Sequence, residues 1–469
     1  MPATIDANTN GDARATTDAN SDGDSVALAF SGGLDTTVCV PLLKEEYGYG
    51  EVIGVVIDVG QPDAEFVKAR ETASALGLDL HVVDATEAFA ETCLDAVRAN
   101  ATYQGYPLGT ALARPVIASA ILDVAREQGC AAIAHGCTGK GNDQLRFEAV
   151  WRGSGLDVIA PVRELGLTRD WERTYAAERD LPVEGGSEGD WSIDTNLWSR
   201  SVEGSDLEDP GYVPPEEIYE WTRPPGTADE AALLRIEFEA GRPVGLAVEE
   251  AFEPGTQPAT DAEALDSVAL IERLNGVAGD YGVGRTDVME DRLLGLKVRE
   301  NYEHPAATVL LTAHAALEDL VLTKGERSFK RQVDDEWAEM AYRGLTDAPL
   351  VEALEGFVER TAERVTGTVL LKLADGQARP VGRESEYAVY SAEAASFDTE
   401  TVGDITQADA TGVAKYHGFQ ERLANATREQ SKAIDADATA VADGGGAGPD
   451  GGDADASTAG DTEGAAMEE

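Results

Sequence analysis

The sequence has few cysteines and no long apolar run, and both scarcities exclude classes of protein. Four cysteines in 469 residues form no Cys-x-x-Cys pair and no Cys/His cluster with zinc spacing. No run approaches the roughly 18 apolar residues of a membrane-spanning helix. The first 24 residues lack the basic and apolar regions of a signal peptide. We therefore expect a reduced, cytoplasmic protein without a metal site or a membrane partner. The cysteines would be small buried residues: Cys39, Cys93, Cys130 and Cys137.

Basic residues are also scarce, with 37 Lys and Arg against 88 Asp and Glu and a net charge of −51. Non-specific nucleic-acid binding needs many cations, so we expect no nucleic-acid partner. Self-repulsion at this charge should destabilise the compact state in dilute buffer, whereas molar salt shortens the screening length to about 3 Å. The composition therefore favours a protein from a salt-accumulating cytoplasm, with an unusually acidic ordinary protein as the alternative.

The hydrophobic pattern predicts an α/β fold between two polar tails. Residues 1–24 and 433–469 have no apolar periodicity, and we expect both to be disordered and acidic. Residues 25–185 alternate apolar strands with helices, which indicates a Rossmann-like parallel sheet covered on both faces. Residues 186–406 follow as an α+β domain, and a helix at 407–432 could pack on a neighbouring subunit.

Within this α+β domain, the stretch from about 185 to 225 is rich in Gly, Pro, Ser and acidic residues and is predicted as a long loop. Two hairpins are predicted near 233–248 and 366–382 because each contains a glycine turn between apolar runs. The remaining pattern predicts helices near 261–279, 305–323, 328–344 and 349–365.

The first chemical motif is Ser-Gly-Gly-Leu-Asp-Thr-Thr at residues 31–37, directly after an apolar strand and before a helix. Glycines let a phosphate approach the backbone, and the helix N-terminus adds a positive dipole end. Asp35 could hold a metal ion that accompanies the phosphates. The string is neither a Walker A loop nor a dinucleotide fingerprint. It resembles the pyrophosphate-binding loop of the N-type ATP pyrophosphatases, which split ATP into AMP and pyrophosphate.

A second polar string, residues 135–148 (HGCTGKGNDQLRFE), follows another apolar strand. Ligands of open α/β sheets bind at the carboxyl ends of the strands, so both strings should meet at one edge. Three glycines with Lys140, Asn142, Asp143 and Arg146 suit a zwitterionic substrate beside a nucleotide. A solvated turn is the alternative for this string taken alone.

From about residue 25 to 430 the chain resembles the argininosuccinate synthases, a branch of the N-type ATP pyrophosphatases. The resemblance rests on strings that occur in order along the chain: FSGGLD at 30–35, LGTALARP at 108–115, the string after residue 135, WSIDTNL at 191–197, VGRTD at 283–287, GLK at 295–297, YEHP at 302–305, GRES at 382–385 and DATG at 409–412.

The resemblance implies that citrulline and aspartate are joined in arginine biosynthesis, with ATP as a substrate, Mg²⁺ beside the nucleotide, and a homotetramer. The citrulline ureido oxygen would attack the α-phosphorus of ATP, and the aspartate amine would then attack citrullyl-AMP. Such chemistry depends on positioning and charge neutralisation more than on a covalent nucleophile. Another ATP pyrophosphatase that adenylates a carbonyl oxygen is the alternative.

Matched position by position, the resemblance implies three groups of site residues. Those that line ATP would be Ala29, Phe30, Ser31, Gly32, Gly33, Leu34, Asp35, Thr36, Thr37, Ile57 and Gly136. Those that hold aspartate would be Thr138, Asn142 and Asp143. Those that hold citrulline would be Tyr106, Ala111, Asn142, Arg146, Ser192, Ser201, Glu290 and Tyr302. Asp143, Arg146 and Lys140 would act by positioning.

The chain departs from the family pattern at Ala111, where the family usually has Ser, so a citrulline contact there could come only from the backbone. Val298 and Glu300 replace a Ser and a Gly. These departures leave the shape of the segment around residue 298 open, although Glu290 and Tyr302 keep their spacing.

Overall fold

The computed structural model describes residues 23–183, 191–228, 230–250, 252, 255, 260–398 and 401–443. The chain divides into two compact units, residues 1–390 and 391–469. Most of the two predicted tails lies outside the described residues, as does the predicted boundary at 185/186. No helix in the described part of the chain is long and apolar enough to cross a membrane.

The first part of the larger unit contains seven strands and seven helices. The strands are β1 (Ser25–Ala29), β2 (Glu51–Asp58), β3 (Asp79–Asp84), β4 (Thr102–Tyr103), β5 (Tyr106–Pro107), β6 (Ala132–His135) and β7 (Asp157–Ile159). The helices are α1 (Leu34–Glu45), α2 (Asp63–Leu76), α3 (Thr86–Arg98), α4 (Thr110–Glu127), α5 (Asp143–Trp151), α6 (Pro161–Glu164) and α7 (Arg169–Glu178).

Five of these strands form a parallel sheet in the order β3-β2-β1-β6-β7. Side chains of β1 alternate between two cores: Ala27 belongs to the core that contains α3 and α4, whereas Val26 and Leu28 belong to the core that contains α1 and α2. Both faces of the sheet are therefore buried, which confirms the parallel α/β prediction.

Nine strands and four α-helices follow in the described residues of the rest of the larger unit. The strands are β8 (Ser192–Thr195), β9 (Arg200–Glu203), β10 (Ala232–Glu239), β11 (Arg242–Glu249), β12 (Glu263–Ala264), β13 (Arg285–Asp291), β14 (Lys297–Glu303), β15 (Gly367–Ala374) and β16 (Gln377–Glu384). The helices are α8 (Ser267–Asp280), α9 (Pro305–Val321), α10 (Lys324–Tyr342) and α11 (Pro349–Ala362).

These strands form two sheets, in the orders β12-β11-β10-β15-β16 and β13-β14-β9-β8. The first contains both predicted hairpins, which are confirmed. The second is antiparallel and was not predicted; the prediction of a continuous loop from 185 to 225 is wrong because β8 and β9 lie within it. The backbone N–H of Leu197, in the β8–β9 turn, donates to the carbonyl of Val59 at 2.8 Å, so this turn is tied to the end of β2.

The smaller unit begins with a short helix, α12 (Ala392–Ala395). An antiparallel pair of strands follows, β17 (Thr401–Val402) and β18 (Ile405–Thr406). Two helices follow, α13 (Ala410–Tyr416) and α14 (Phe419–Asp443). The single helix predicted at 407–432 is thus broken at Gly418, whose φ is +66°, and helix continues to residue 443. That extension contradicts the predicted start of a disordered tail at 433.

Candidate active site

A cavity of about 1690 Å³ lies where the parallel sheet faces the sheet formed by β8, β9, β13 and β14. Its lining includes the ends of β1, β2 and β6, where open α/β sheets bind ligands. Every predicted site residue lines it except Gly32 and Thr37. Predicted site residues as distant in the sequence as Ala29 and Tyr302 are therefore brought to one cavity.

The predicted phosphate loop forms the turn between β1 and α1. Thr36 Oγ1 accepts from the backbone N–H of Ser31 at 3.3 Å, and Gly33 N donates to Ser31 Oγ at 3.3 Å, so the loop is closed on itself. Gly32 has a φ of +72°, and a Cβ there would lie 2.9 Å from Ala69 Cα in α2. Gly32 therefore lets the loop pack closely against α2 on the side away from the cavity. Thr37 is fully buried in α1 and does not line the cavity either.

Asp35 lines the cavity from the first turn of α1, and a second carboxyl lies against it. Glu172 in α7 is 1% exposed, and burial together with a hydrogen bond to Asp35 raises the pKa of its carboxyl to about 8. With that pKa, Glu172 is largely protonated at neutral pH beside Asp35. Among the described residues no cluster of three or more His, Cys, Asp or Glu side chains forms a metal site.

The second polar string begins at the end of β6, and its first residues pack against the loop at residues 31–37. A Cβ on Gly136 would lie 3.3 Å from the backbone N of Thr36, so the two loops touch there. Ile57, which is predicted to line ATP, lies in β2, and its carbonyl accepts from Gln61 Nε2 at 2.8 Å. Thr138 and Lys140 are exposed at the cavity, and Thr138 Oγ1 accepts from Lys140 N at 3.4 Å.

Two arginines bind the carboxylate of Asp143. Arg114 Nε donates to Asp143 Oδ2 at 2.9 Å, and Arg146 Nη1 donates to Asp143 Oδ1 at 3.1 Å. Burial raises the pKa of Asp143, but the two guanidinium charges outweigh it and hold that pKa below its ordinary value. Arg114 Nη2 also donates to Asp194 at 3.0 Å, and Thr110 Oγ1 donates to the same carboxylate at 2.8 Å.

Glu290 is the centre of a second buried cluster. It is 2% exposed on β13, and three tyrosine hydroxyls donate to its carboxylate. Tyr106 does so at 2.6 Å, Tyr302 at 3.1 Å, and Tyr342 through Glu290 Oε1. The rings of Tyr106 and Tyr302 stack with centroids 4.7 Å apart, and Tyr106 belongs to the nucleotide-binding domain whereas Tyr302 does not. Predicted citrulline-binding residues from both domains are therefore in contact around Glu290.

Glu300 places another carboxylate beside this cluster. It lies on β14, and its Oε2 is 2.6 Å from the Tyr302 hydroxyl, whose single proton is shared between Glu290 and Glu300. Arg292 donates to its Oε1 at 2.9 Å. Arg292 also donates to Glu203 at 2.6 Å. Burial first, then the charges of Glu290 and Glu203, raise the pKa of the Glu300 carboxyl to about 7. The departure noted at position 300 thus adds an acid to the cavity.

The remaining predicted citrulline residues lie on the same walls. Ser201 is buried on β9, directly opposite Tyr302 in the strand register, and Ser192 is exposed at the start of β8. Ala111 is buried in the first turn of α4. Cys137 also lines the cavity, and burial raises the pKa of its thiol well above the ordinary value, so it is no nucleophile at neutral pH.

Sequence reasoning did not assign roles to several residues that the structure brings to the site. Arg114 and Asp194 stand inside the strings LGTALARP and WSIDTNL, which could have pointed to them. Tyr342 ends the amphipathic helix α10 and carries no sequence signal of its own, because a tyrosine there is expected to pack in the core.

Comparison with known families covers nearly the whole described chain. Residues 25–182 match the family described as "Arginosuccinate synthase N-terminal HUP domain", and residues 191–424 match "Arginosuccinate synthase C-terminal domain".

Individual relatives match over most of their length. The chain is 72% identical over 403 residues to the argininosuccinate synthase of Natronomonas pharaonis, covering 85% of this chain and 96% of the relative. It is 68% identical over 408 residues to that of Halobacterium salinarum, covering 87% and 99%. It is 53% identical over 400 residues to that of Methanosarcina mazei, covering 85% and 97%.

Proposed function

The chain belongs to the argininosuccinate synthase family, and from that premise we propose that it condenses L-citrulline with L-aspartate in an ATP-dependent reaction of arginine biosynthesis. The citrulline ureido oxygen forms a bond to the α-phosphorus of ATP, and pyrophosphate leaves. The aspartate amine then attacks the ureido carbon, loses a proton, and displaces AMP.

The observation that carries the proposal is that one cavity contains both the closed loop at residues 31–36 and the buried Glu290 cluster. The loop is suited to phosphates, and a buried carboxylate surrounded by hydroxyl donors is suited to an ammonium group. Reaction between two amino acids and ATP requires these groups within one space, because adjacency supplies much of the rate for a weak nucleophile such as a ureido oxygen.

At the nucleotide, backbone N–H groups at the start of α1 and the hydroxyls of Ser31 and Thr36 bind phosphate oxygens. Lys140, which is exposed at the cavity, neutralises part of the negative charge of the phosphates. Asp35, which lines the cavity from the first turn of α1, would supply a carboxylate oxygen, the kind of donor that Mg²⁺ prefers, and Mg²⁺ in such sites takes one or two carboxylates plus substrate phosphates. Asp35 and the substrate phosphates would hold Mg²⁺, which would supply positive charge beside the pyrophosphate.

At the citrulline end, the Glu290 carboxylate pairs with the α-ammonium group. Arg146 binds the α-carboxylate with N–H groups that remain after its bonds to Asp143 and to the Tyr342 carbonyl. Tyr106, Tyr302 and Ser201 supply hydroxyl groups along the same wall.

At the aspartate end, Asp143 accepts hydrogen bonds from the substrate's amine, and Thr138 and Asn142 bind its carboxylates. Because Arg114 and Arg146 keep the pKa of Asp143 low, this residue orients the amine and is a weak proton acceptor. The chemistry then rests on orientation and on matched charges, without a covalent enzyme intermediate.

The experiment is pyrophosphate release from ATP in multi-molar KCl, with citrulline and aspartate added singly and together. Full release is expected only with both amino acids, and argininosuccinate should appear in equal amount. Absence of release with both present would refute the proposal. Release with neither amino acid would instead point to a different ATP pyrophosphatase.

We also propose that the enzyme is a homotetramer that works in a salt-accumulating cytoplasm. In the smaller unit Phe397, Val413 and Tyr416 are 100%, 71% and 79% exposed, which is unusual for such apolar side chains and suits burial against other subunits. The acidic composition and relatives from the halophilic archaea Natronomonas pharaonis and Haloquadratum walsbyi support the salt-rich compartment. Light scattering of the wild type and of Tyr416→Asp in molar KCl tests the assembly: a tetramer is expected, dissociated by the substitution.

A further inference from the structure

Tyr342, the last residue of α10, is fully buried and touches three residues that line the cavity. Its hydroxyl donates to Glu290 Oε1 and accepts from Asn142 Nδ2 at 2.8 Å. Its backbone carbonyl accepts from Arg146 Nε at 3.0 Å, and the Arg146 guanidinium lies 5.0 Å from the centre of its ring. This one residue therefore joins Asn142, at the start of α5, and Arg146 within α5 to Glu290 on β13.

The side chain of Asn142 is fixed at both ends by this arrangement. Its Nδ2 donates to Tyr342, and its Oδ1 accepts from the backbone N–H of Leu293 at 3.1 Å, in the turn after β13. Asn142 comes from the nucleotide-binding domain and Leu293 from the second domain. The orientation of this amide therefore depends on the position of the β13–β14 hairpin.

Tyr342 is itself held firmly. The Tyr103 ring stacks on it with centroids 3.6 Å apart and an interplanar angle of 9°, and Tyr103 in turn donates its hydroxyl to the Asp291 carbonyl at 2.9 Å. Two residues later, Gly344 has a φ of +73°, and a Cβ there would lie 2.8 Å from Arg146 Cα. The chain around Tyr342 is therefore packed directly against α5.

We propose that Tyr342 is a positioning residue that sets the citrulline and aspartate subsites relative to each other. The inference rests on the proposed function, because it takes Glu290 as a citrulline contact and Asn142 as a contact of both amino acids. A hydroxyl that donates to a carboxylate and accepts from an amide fixes both groups at once, and hydrogen bonds to a buried charge are among the stronger ones. Removal of the hydroxyl leaves the ring in place and frees both groups.

The test is steady-state kinetics of Tyr342→Phe in molar KCl with each of the three substrates varied. The KM for citrulline and the KM for aspartate should each rise about tenfold, while the KM for ATP stays within twofold. The melting temperature should fall only modestly, because one buried hydroxyl is lost and the ring is kept. Tyr47→Phe is the matched control, because Tyr47 also donates its hydroxyl to a glutamate, Glu164 at 2.9 Å, away from the cavity. It should leave all three KM values unchanged.

Unchanged KM values in Tyr342→Phe, a fall in kcat alone, or an equal rise in all three KM values would overturn the proposal. If the variant does not fold, Tyr103→Leu removes the ring that stacks on Tyr342 but keeps the Tyr342 hydroxyl. It should raise the KM for citrulline and the KM for aspartate, but not the KM for ATP, by a smaller factor. Equal KM values in that variant and the wild type would also overturn it. Failure of the wild type to turn over citrulline and aspartate would refute the proposed function instead.

Discussion

Arg114 donates through Nε to Asp143 at 2.9 Å, which ties helix α4 to the first turn of α5. The same guanidinium donates through Nη2 to Asp194 on β8 at 3.0 Å. One arginine thus spans both domains beside the amino-acid subsites, and a planar fork is the group that can do so.

We expect Arg114→Lys to lower kcat/KM for aspartate by roughly 10- to 100-fold, because a single ammonium cannot keep both carboxylates in place. Pyrophosphate release at varied aspartate measures the effect. Arg152→Lys is the control, since Arg152 is 61% exposed and pairs with Glu148 at the edge of α5. Wild-type aspartate dependence in Arg114→Lys would contradict the role given to this bridge.

Glu290→Gln should raise the KM for citrulline by about 10- to 100-fold, because the variant keeps the shape but loses the charge that pairs with the α-ammonium. Titration calorimetry with citrulline provides a second readout that does not need turnover. Glu45→Gln serves as the control, because Glu45 accepts from Tyr175 at 3.2 Å outside the citrulline cluster. Equal citrulline affinity in Glu290→Gln and the wild type would refute the assignment.

Glu300→Gln should change how stability depends on pH. Burial raises the pKa of the Glu300 carboxyl to about 7 in the folded state, so the folded chain holds a proton that the unfolded chain releases above about pH 4.5. The wild type therefore loses stability from about pH 5 to 8, and the variant should gain about 1 to 3 kcal/mol relative to it over that range.

Urea unfolding of both proteins in constant KCl measures this difference. Glu239→Gln, a substitution of an exposed carboxylate at the end of β10, should show no such gain. A difference between Glu300→Gln and wild type that is constant with pH would contradict the prediction.

Lys330→Met should destabilise the fold by about 3 to 5 kcal/mol near neutral pH, because it leaves two buried carboxylates without their cation. Lys330 is 1% exposed, and its Nζ lies 3.0 Å from Glu318 and 2.8 Å from Asp334. The loss should shrink at pH 5, because burial raises the pKa of the Asp334 carboxyl to about 6 and it can take up a proton there. Thermal unfolding gives the values, with the exposed pair of Arg360 and Glu363 as reference: Arg360→Gln should leave the stability nearly unchanged.

Activity and melting temperature should both rise as KCl increases from about 0.1 to 3 M, because the charge of −51 repels itself in dilute buffer. A neutral osmolyte at matched water activity separates screening from solvent exclusion, and it should restore much less. Indifference to KCl over this range would remove the salt hypothesis.

The parallel sheet could be predicted from the sequence because its strands are buried on both faces. Runs such as VIGVVI in β2 have no other stable location, so the apolar pattern alone indicates them. The site motifs at residues 31–37 and after residue 135 were found for the same reason, since each follows such a strand.

The sheet formed by β8, β9, β13 and β14 could not be predicted in this way. β9 reads RSVE and β14 reads KVRENYE, which hides any alternation of apolar and polar positions. On one face of these strands Ser201, Glu300 and Tyr302 line the polar cavity. On the other face a buried pair between Arg200 and Glu303 at 3.0 Å takes the place of an apolar contact. Hydrophobic periodicity fails where the inner face of a sheet serves chemistry.

The stacked pair of Tyr106 and Tyr302 limits how the two domains can be recombined between related proteins. The seam between the two domains passes through the amino-acid subsite, with one ring contributed by each side. A chimaera that joins the first domain of one relative to the second domain of another would recombine inside that subsite. Exchange of whole domains should therefore be tolerated only between parents that share this seam, and the two halves are expected to be inherited together.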